Sequence, residues 1–464
     1  MDDLIGRLRA ALGPSAVLTG PDAVARAQGG LGRKLGAPLA VLLPASTDAV
    51  STILKLCHAA RQPVVPWGGK TGLVDGAVAD GALALSLERM GRIEEIDALA
   101  ATMRVEAGCV LQTACEAADA QGLFLPLDLG ARGSATIGGT ISTNAGGNRV
   151  IRFGMMRDMV LGLEVVLADG TVLSSLNRLI KNNAGYDVKQ LFIGSEGTLG
   201  IVTRAVLRLR PRPASQNTAF VAVDAFERLA RFLRHVEGAL GGTLSAFEVM
   251  WPEFYSLVTT PPAKGRPPIA PGYPYYVLVE ALGGDQADDE ARFERALTAA
   301  LEDGEIADAV IAKSQAERHQ MWALRDDVIQ LARNFPIFVY DVSLALLDME
   351  DYIAELRRAL EARWPKASLV VFGHLGDGNL HVIVGVGDAS HEARQAVEAI
   401  VYGGLRERRG SISAEHGIGL EKRPYLGWSR NAEEIALMRN LKELLDPANI
   451  LNPGKVLAPA GTAA

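Results

Sequence analysis

Glycine constrains this chain most. Its 464 residues include 49 glycines, and many crowd into four places: 67–76, 130–147, 194–200 and 373–378. Glycine gathered in this way marks backbone that must turn sharply or lie against a ligand too closely for a side chain. Length suggests about two to four domains with ample core. The 47 Lys+Arg against 54 Asp+Glu give a formal charge of −7, and no segment pools the basic residues that phosphates require, so nucleic acid is excluded as a partner. No window approaches the ~18 apolar residues of a transmembrane segment, and the opening MDDLIGRLRAALG lacks a signal-peptide apolar region. Cys57, Cys109 and Cys115 are odd in number and fit no CxxC pattern, so no disulfide framework is expected. The expected class is a cytoplasmic enzyme, with peripheral membrane contact left open.

Hydrophobic periodicity then places the elements. Residues 38–66 read as β-α-β, with Val50, Ile53, Leu54 and Cys57 at helical spacing. The stretch 82–107 breaks like consecutive strands, and 160–174 reads as a pair joined by an Asp169-Gly170 hairpin signal. A strand over 198–210 ends in Pro211-Arg212-Pro213, the first domain boundary. Beyond it, strands at 220–223, 275–282, 337–346, 368–372 and 380–386 alternate with helices at 224–240, 285–302 and 348–363. That pattern predicts an α+β fold in which one antiparallel sheet is covered by helices. Residues 260–274, rich in Pro and Gly, read as a surface loop. Near the end, Asn431 and Glu434 form a capping box for a helix with Ile435, Met438, Leu441 and Leu445 on its apolar face, stopped by Asp446-Pro447. The expected division is 1–212, 213–410 and 411–464.

Gly69-Lys70-Thr71 imitates the end of a Walker A loop, but the first glycine of that motif would fall on Val64. No GxGxxG opens a helix after a strand either, which argues against a nicotinamide-binding Rossmann unit. What remains is a glycine turn able to present backbone amides to an anion such as a pyrophosphate. The run Gly133-Ser-Ala-Thr-Ile-Gly-Gly-Thr-Ile-Ser-Thr-Asn-Ala-Gly-Gly147 extends the argument, with small residues for close approach and Ser134, Thr136, Ser142 and Asn144 for hydrogen bonds.

Together with PWGGKTGL, GSEGTLG, YDVSLAL, GHLGDGNLH, SAEHG and LLDPANILNPGK, in that family's order, these motifs resemble the FAD-linked oxidases of the vanillyl-alcohol oxidase type (PCMH-type FAD domain). Within them the chain is similar to the D-2-hydroxyacid dehydrogenase branch, which holds D-lactate and D-2-hydroxyglutarate dehydrogenases and the glycolate oxidase D-subunit. The likeness runs from about residue 38 to 457. It implies an FAD-binding domain of two α+β subdomains (1–212), an α+β cap for substrate (213–410), and a C-terminal segment (411–464) returning to the flavin. It assigns Pro66, Trp67, Gly68, Gly69, Lys70, Thr71, Gly72 and Leu73 to the cofactor, with Gly133, Ser134, Ile137, Gly138, Gly139, Ser142, Asn144 and Gly147. Glu196, Gly200, Ile201 and Asn452 complete that set. Some relatives attach FAD to a histidine in the first glycine loop; Lys70 stands there, so non-covalent FAD is implied.

His374, His381 and His416 fall close together among only seven histidines, and Glu415 adds a carboxylate. Two imidazoles and one carboxylate make a sound shell for Zn²⁺ with open positions. The spacing by itself fits a hydrogen-bonded core pair equally, because HxxxxxxH is no standard metal motif. The resemblance implies that His374, His381 and Glu415 are the metal ligands, with Zn²⁺ ahead of Mn²⁺ or Fe²⁺, and His416 the catalytic base. It also implies that Arg325 grips the substrate carboxylate, against the plainer reading of a surface arginine paired with Asp326 or Asp327. The reaction implied is oxidation of a D-2-hydroxy acid to the 2-oxo acid, the C2 hydride passing to flavin N5.

Two departures bear on substrate. D-2-hydroxyglutarate dehydrogenases carry a lysine where Val339 stands and an asparagine where Ile383 stands. Both changes make the pocket apolar, which favours D-lactate or another monocarboxylate over D-2-hydroxyglutarate or D-malate. A non-catalytic, electron-relaying flavoprotein subunit is the alternative class. A quinone, a cytochrome and an electron-transfer flavoprotein all fit as electron acceptor, and a homodimer is left open.

Overall fold

The computed structural model describes residues 2–458. Met1 and residues 459–464, the outer ends of the expected segments 1–212 and 411–464, lie outside the described residues. The chain divides into two units: one comprises 1–146, 154–212 and 415–464, the other 147–153 and 213–414. Two details differ from the division drawn on sequence. Residues 147–153 belong to the second unit, and the second division falls between Ala414 and Glu415 rather than after 410.

The first unit contains two main sheets. Strands β1 (Val17–Leu18), β2 (Ala40–Leu42), β3 (Val64–Trp67) and β4 (Leu83–Ser86) are ordered β1-β2-β4-β3, with β2 and β3 parallel to β4. The helix Thr47–Ala59 between β2 and β3 buries Val50, Ile53, Leu54 and Cys57, and Ser46 caps it by accepting from the Ala49 amide. Strands β5 (Ile93–Asp97), β6 (Thr102–Glu106), β8 (Val160–Val166), β9 (Val172–Ser175) and β10 (Ile201–Arg208) form an antiparallel sheet ordered β5-β6-β10-β8-β9. Strands β7 (Leu123–Phe124) and β11 (Arg210–Pro211) make a small pair. At Asp169-Gly170, Gly170 adopts φ +84° and turns β8 into β9.

The second unit is one antiparallel sheet of β12 (Ser215–Val223), β13 (Leu244–Met250), β14 (Tyr275–Gly283), β15 (Asp308–Ile311), β16 (Phe338–Ser343), β17 (Ser368–His374) and β18 (Asn379–Gly385). Their order is β15-β12-β14-β13-β17-β18-β16. Phe220, Met250, Tyr276, Phe372 and Ile383 pack with Phe254 and Tyr255 of the helix Pro252–Thr259 and Leu324 of the helix Gln315–Asp326. Tyr255 stacks on Tyr276 at 3.7 Å and Phe254 on Phe372 at 4.0 Å between ring centroids. Burying each such ring contributes about 1.5–3 kcal/mol. The period-2 pleat carries that core face onward to polar residues: Glu248 lies two before Met250, Glu280 two after Leu278, His374 two after Phe372, and His381 two before Ile383. Core and polar cluster therefore share one side of the sheet.

In the first unit the helix Ala432–Leu445 carries the expected Asn431–Glu434 capping box, but its apolar face is only half-buried. Asp446 ends it and accepts from the Ile450 and Leu451 amides at 3.0 and 2.8 Å. Lys442 pairs with Asp446 and also donates to the carbonyls of Thr198 (2.9 Å) and Leu451 (2.8 Å), tying the 194–200 loop to the segment that bears Asn452. Asp446→Ala leaves a mostly buried lysine and two amides without their acceptor, so a loss of about 3–5 kcal/mol is expected. Urea unfolding measures it, and a change under about 1 kcal/mol would refute this role.

Candidate active site

The second unit gathers four of its ionisable residues through strand register. Glu248 and His374 are direct partners across β13 and β17, Phe372 faces His381 across β17 and β18, and Asp341 faces His381 across β16 and β18. The His374 and His381 rings stand 5.3 Å apart at 82°, with ligating atoms within 4.8 Å of one another. His374 ends β17, two residues beyond the expected strand end at 372, and His381 is the third residue of β18, which starts one residue before the expected 380.

Arg325 is not the surface residue of the plainer reading. It is 6% exposed, and its Nε donates to Glu248 Oε2 at 2.7 Å. Its guanidinium lies 4.9 Å over the Phe372 ring, and Nη2 is 3.4 Å from His374 Nε2. Glu248 Oε1 meets His374 Nδ1 at 2.8 Å. Full burial alone would raise the Glu248 carboxyl, but His374 and Arg325 outweigh it and hold the group below its usual value. Sequence reasoning missed Glu248 because β13 itself was not recognised. The available signal was a lone acid inside the apolar run LSAFEVM.

A second carboxylate explains why 147–153 joins this unit. Glu280 is 0% exposed; it pairs with Arg149 at 3.2 Å and accepts from Gln216 Nε2 (2.7 Å), Trp322 Nε1 (2.9 Å) and Ser245 Oγ (3.3 Å). Arg152 adds hydrogen bonds to the carbonyls of Thr243 and Leu282. Trp322 and Arg325 share one helix, so Glu280 and Glu248 both anchor it.

Two histidines fit a metal by chemistry. Nδ1 of His374 is bonded to Glu248, and Nδ1 of His381 lies 3.8 Å from Asp341 Oδ1, so each ring has a carboxylate on its Nδ1 side, as metal-ligating histidines commonly do. Glu415 and His416 belong to the first unit, in a loop reached directly from Ala414, whose amide donates to Asp341 O at 3.4 Å. Past His416, the Ile418 and Gly419 amides donate to Glu196 Oε1 and Oε2 at 2.7 and 2.9 Å. Gly417, at φ +83°, has no room for a Cβ beside Glu196. Burial pushes the Glu196 carboxyl above its usual range, against the pull of those two amides and Lys422. Asn452 Nδ2 donates to Glu196 O (2.8 Å) and Gly76 O (3.1 Å), while its buried Oδ1 has no partner.

The glycine loops also fit FAD. The amides from Gly68 to Gly72 donate to no acceptor among the described residues, which suits a turn that would receive an anion such as a pyrophosphate. A Cβ on Gly69 would collide with the Ser134 carbonyl, so this glycine lets two loops touch. Several of the expected cofactor residues also have protein partners or are buried. Trp67 is buried in the core and donates to Ala77 O at 2.8 Å, and Lys70 Nζ donates to Arg26 O at 2.8 Å. Ile137, Gly138 and Ile201 are buried, Ser142 donates to Gly138 O at 2.7 Å, and Asn144 accepts from the Arg157 amide at 2.9 Å.

Comparison with known proteins agrees with this architecture. The description "FAD binding domain" matches residues 38–175, and "FAD linked oxidases, C-terminal domain" matches residues 212–456. A D-2-hydroxyglutarate dehydrogenase of Xanthomonas citri pv. viticola is 42% identical over 425 residues, covering 90% of this chain and 89% of that one. A mitochondrial protein of Schizosaccharomyces pombe, a D-lactate dehydrogenase by name, is 38% identical over 89% of this chain and 81% of its own. In fold, p-cresol methylhydroxylase matches with a TM-score of 0.80 at 16% identity, covering 100% of this chain and 98% of that one. No helix among the described residues is long and apolar enough to cross a membrane. The chain belongs to the FAD-linked oxidases, in the branch of the D-2-hydroxyacid dehydrogenases.

Proposed function

We propose that this chain oxidises a D-2-hydroxy acid to its 2-oxo acid using non-covalent FAD and a divalent metal, Zn²⁺ first, held by His374, His381 and Glu415. The observation that carries the reading is the buried Glu248–Arg325–His374 cluster beside His381, in a chain of this family. FAD, when bound, supplies the hydride acceptor. A metal ion, when bound, acts as a Lewis acid toward the substrate hydroxyl. Imidazole and carboxylate donors suit Zn²⁺, and Mn²⁺ or Fe²⁺ share them. Arg325, its Nε committed to Glu248, offers its remaining edge to the substrate carboxylate. His416 takes the hydroxyl proton. The electron acceptor is a quinone, a cytochrome or an electron-transfer flavoprotein; relatives named mitochondrial set an organellar location beside the cytoplasmic one.

For substrate side chain, Val339 supports a short or apolar group. It is 49% exposed and lies directly opposite Ile383, two residues from Asp341 on the same face. Ile383, 1% exposed in the aromatic core, owes its apolarity to packing and adds nothing to the substrate argument. Between Arg325 and Asp341 the chain also exposes Val328, Ile329 and Phe335. A second reading, D-2-hydroxyglutarate, is favoured by Arg318, which lies two turns before Arg325 and has a buried Nε without a partner.

Anaerobic D-2-hydroxy acids are expected to bleach the bound flavin while L-enantiomers leave it oxidised; a flavin that none of them bleaches leaves the electron-relaying subunit as the reading. In kcat/KM with a dye acceptor, D-lactate should exceed D-2-hydroxyglutarate by about 150-fold if the distal carboxylate goes unpaired at ~3 kcal/mol. The reverse order overturns the monocarboxylate reading and keeps the class.

His416→Ala should slow flavin reduction by about 10²–10⁴-fold with little change in substrate binding, and a wild-type rate would remove His416 as the base. His381→Ala should lose stoichiometric metal by elemental analysis yet retain FAD. Active wild-type enzyme without metal defeats the metal assignment.

A further inference from the structure

We propose that Glu248 is a positioning residue that couples the metal ligand His374 to the substrate-binding Arg325, so that one buried carboxylate orients both. The proposal rests on the functional reading above and adds to it a residue outside the expected ligand and substrate sets.

The two oxygens of Glu248 are used separately, Oε1 by His374 Nδ1 at 2.8 Å and Oε2 by Arg325 Nε at 2.7 Å. An ionised carboxylate only accepts, so Nδ1 of His374 is the donor, and a metal would have to take the ring through Nε2. Arg325 Nη2 lies 3.4 Å from Nε2, so the carboxylate that sets the ring through Nδ1 also holds the guanidinium beside the atom a metal would take. Register fixes the first link, because Glu248 and His374 pair directly across β13 and β17. The second link is fixed by packing, with the Arg325 guanidinium 4.9 Å over Phe372 and Phe372 stacked on Phe254. Neither partner can turn without leaving a buried donor unsatisfied. Glutamine at 248 keeps the volume, but its single carbonyl satisfies one partner and sets an N–H₂ against the other.

The test compares Glu248→Gln with Arg325→Met as purified flavoproteins, stripped of metal and titrated with Zn²⁺, then assayed with a 2-hydroxy acid that bleaches wild type. Glu248→Gln should weaken Zn²⁺ binding about 10- to 100-fold and raise KM about tenfold or more, with FAD content unchanged. Arg325→Met should raise KM without weakening Zn²⁺. Wild-type Zn²⁺ binding and KM in Glu248→Gln overturn the coupling, as does an equal loss of Zn²⁺ affinity in both variants. If Glu248→Gln does not fold, Glu248→Gln/Arg325→Met removes the unpaired cation and is compared with Arg325→Met: weaker Zn²⁺ binding supports the proposal and equal binding overturns it. A wild type that binds no Zn²⁺, or whose flavin no hydroxy acid bleaches, overturns the functional reading and this proposal together. That outcome is distinct, because it appears before any variant is made.

Discussion

A carboxylate with no water around it must be surrounded by donors, and much of this molecule is organised by that requirement. Glu248 and Glu280 stand on neighbouring strands with no exposure, and between them they recruit a histidine, two arginines, a tryptophan, a glutamine and a serine. Those partners come from two other strands, from β13 itself, from one helix and from the 147–153 segment. Glu196 does comparable work in the first unit, where the donors are the backbone amides that follow His416. Removing an acceptor at any of these places strands donors that were drawn from far apart in sequence.

Glycine serves the same end by a different route. Gly69 lets the Ser134 loop lie against the first glycine turn, and Gly417 lets the His416 loop lie against Glu196. In both cases the absent side chain makes room for protein. The amides of 68–72 differ, since no acceptor among the described residues uses them. Dense glycine thus marks loop contacts as well as backbone left with donors to offer.

This explains which parts were legible in the sequence. Strands flanked by turn residues, the Asp169-Gly170 hairpin, the Asn431–Glu434 cap and the strands at 368–372 and 380–386 each announce themselves within about ten residues, because local geometry causes them. Strand β13 did not, since LSAFEVM puts a charge inside an apolar run and its pleat has no polar alternation; one of its neighbours, β17, lies far along the chain. Glu248 was lost with it. The 147–153 segment was assigned by its neighbours in sequence, whereas its place depends on Glu280, more than a hundred residues away. Trp67 entered the cofactor set through the resemblance; its burial in the core follows from its place at the end of β3.

The sheet face joins these observations into one constraint. Phe372 stacks on Phe254, carries the Arg325 guanidinium on its ring, and lies 5.0 Å from His381, so one side chain belongs to the core and to the polar cluster at once. Close-packed aromatic rings have few alternative arrangements, which makes the core a rigid template for the groups that follow it along the pleat. Arg325 cannot be aimed by its own long, flexible side chain; it is aimed by a ring beneath it and a carboxylate beside it. His374 is likewise aimed by its position one pleat beyond Phe372 and by the acid across the ladder. Precision at the polar end is therefore inherited from packing at the apolar end, and a change that loosens the aromatic stack would move the arginine and both histidines before it touched any of their hydrogen bonds.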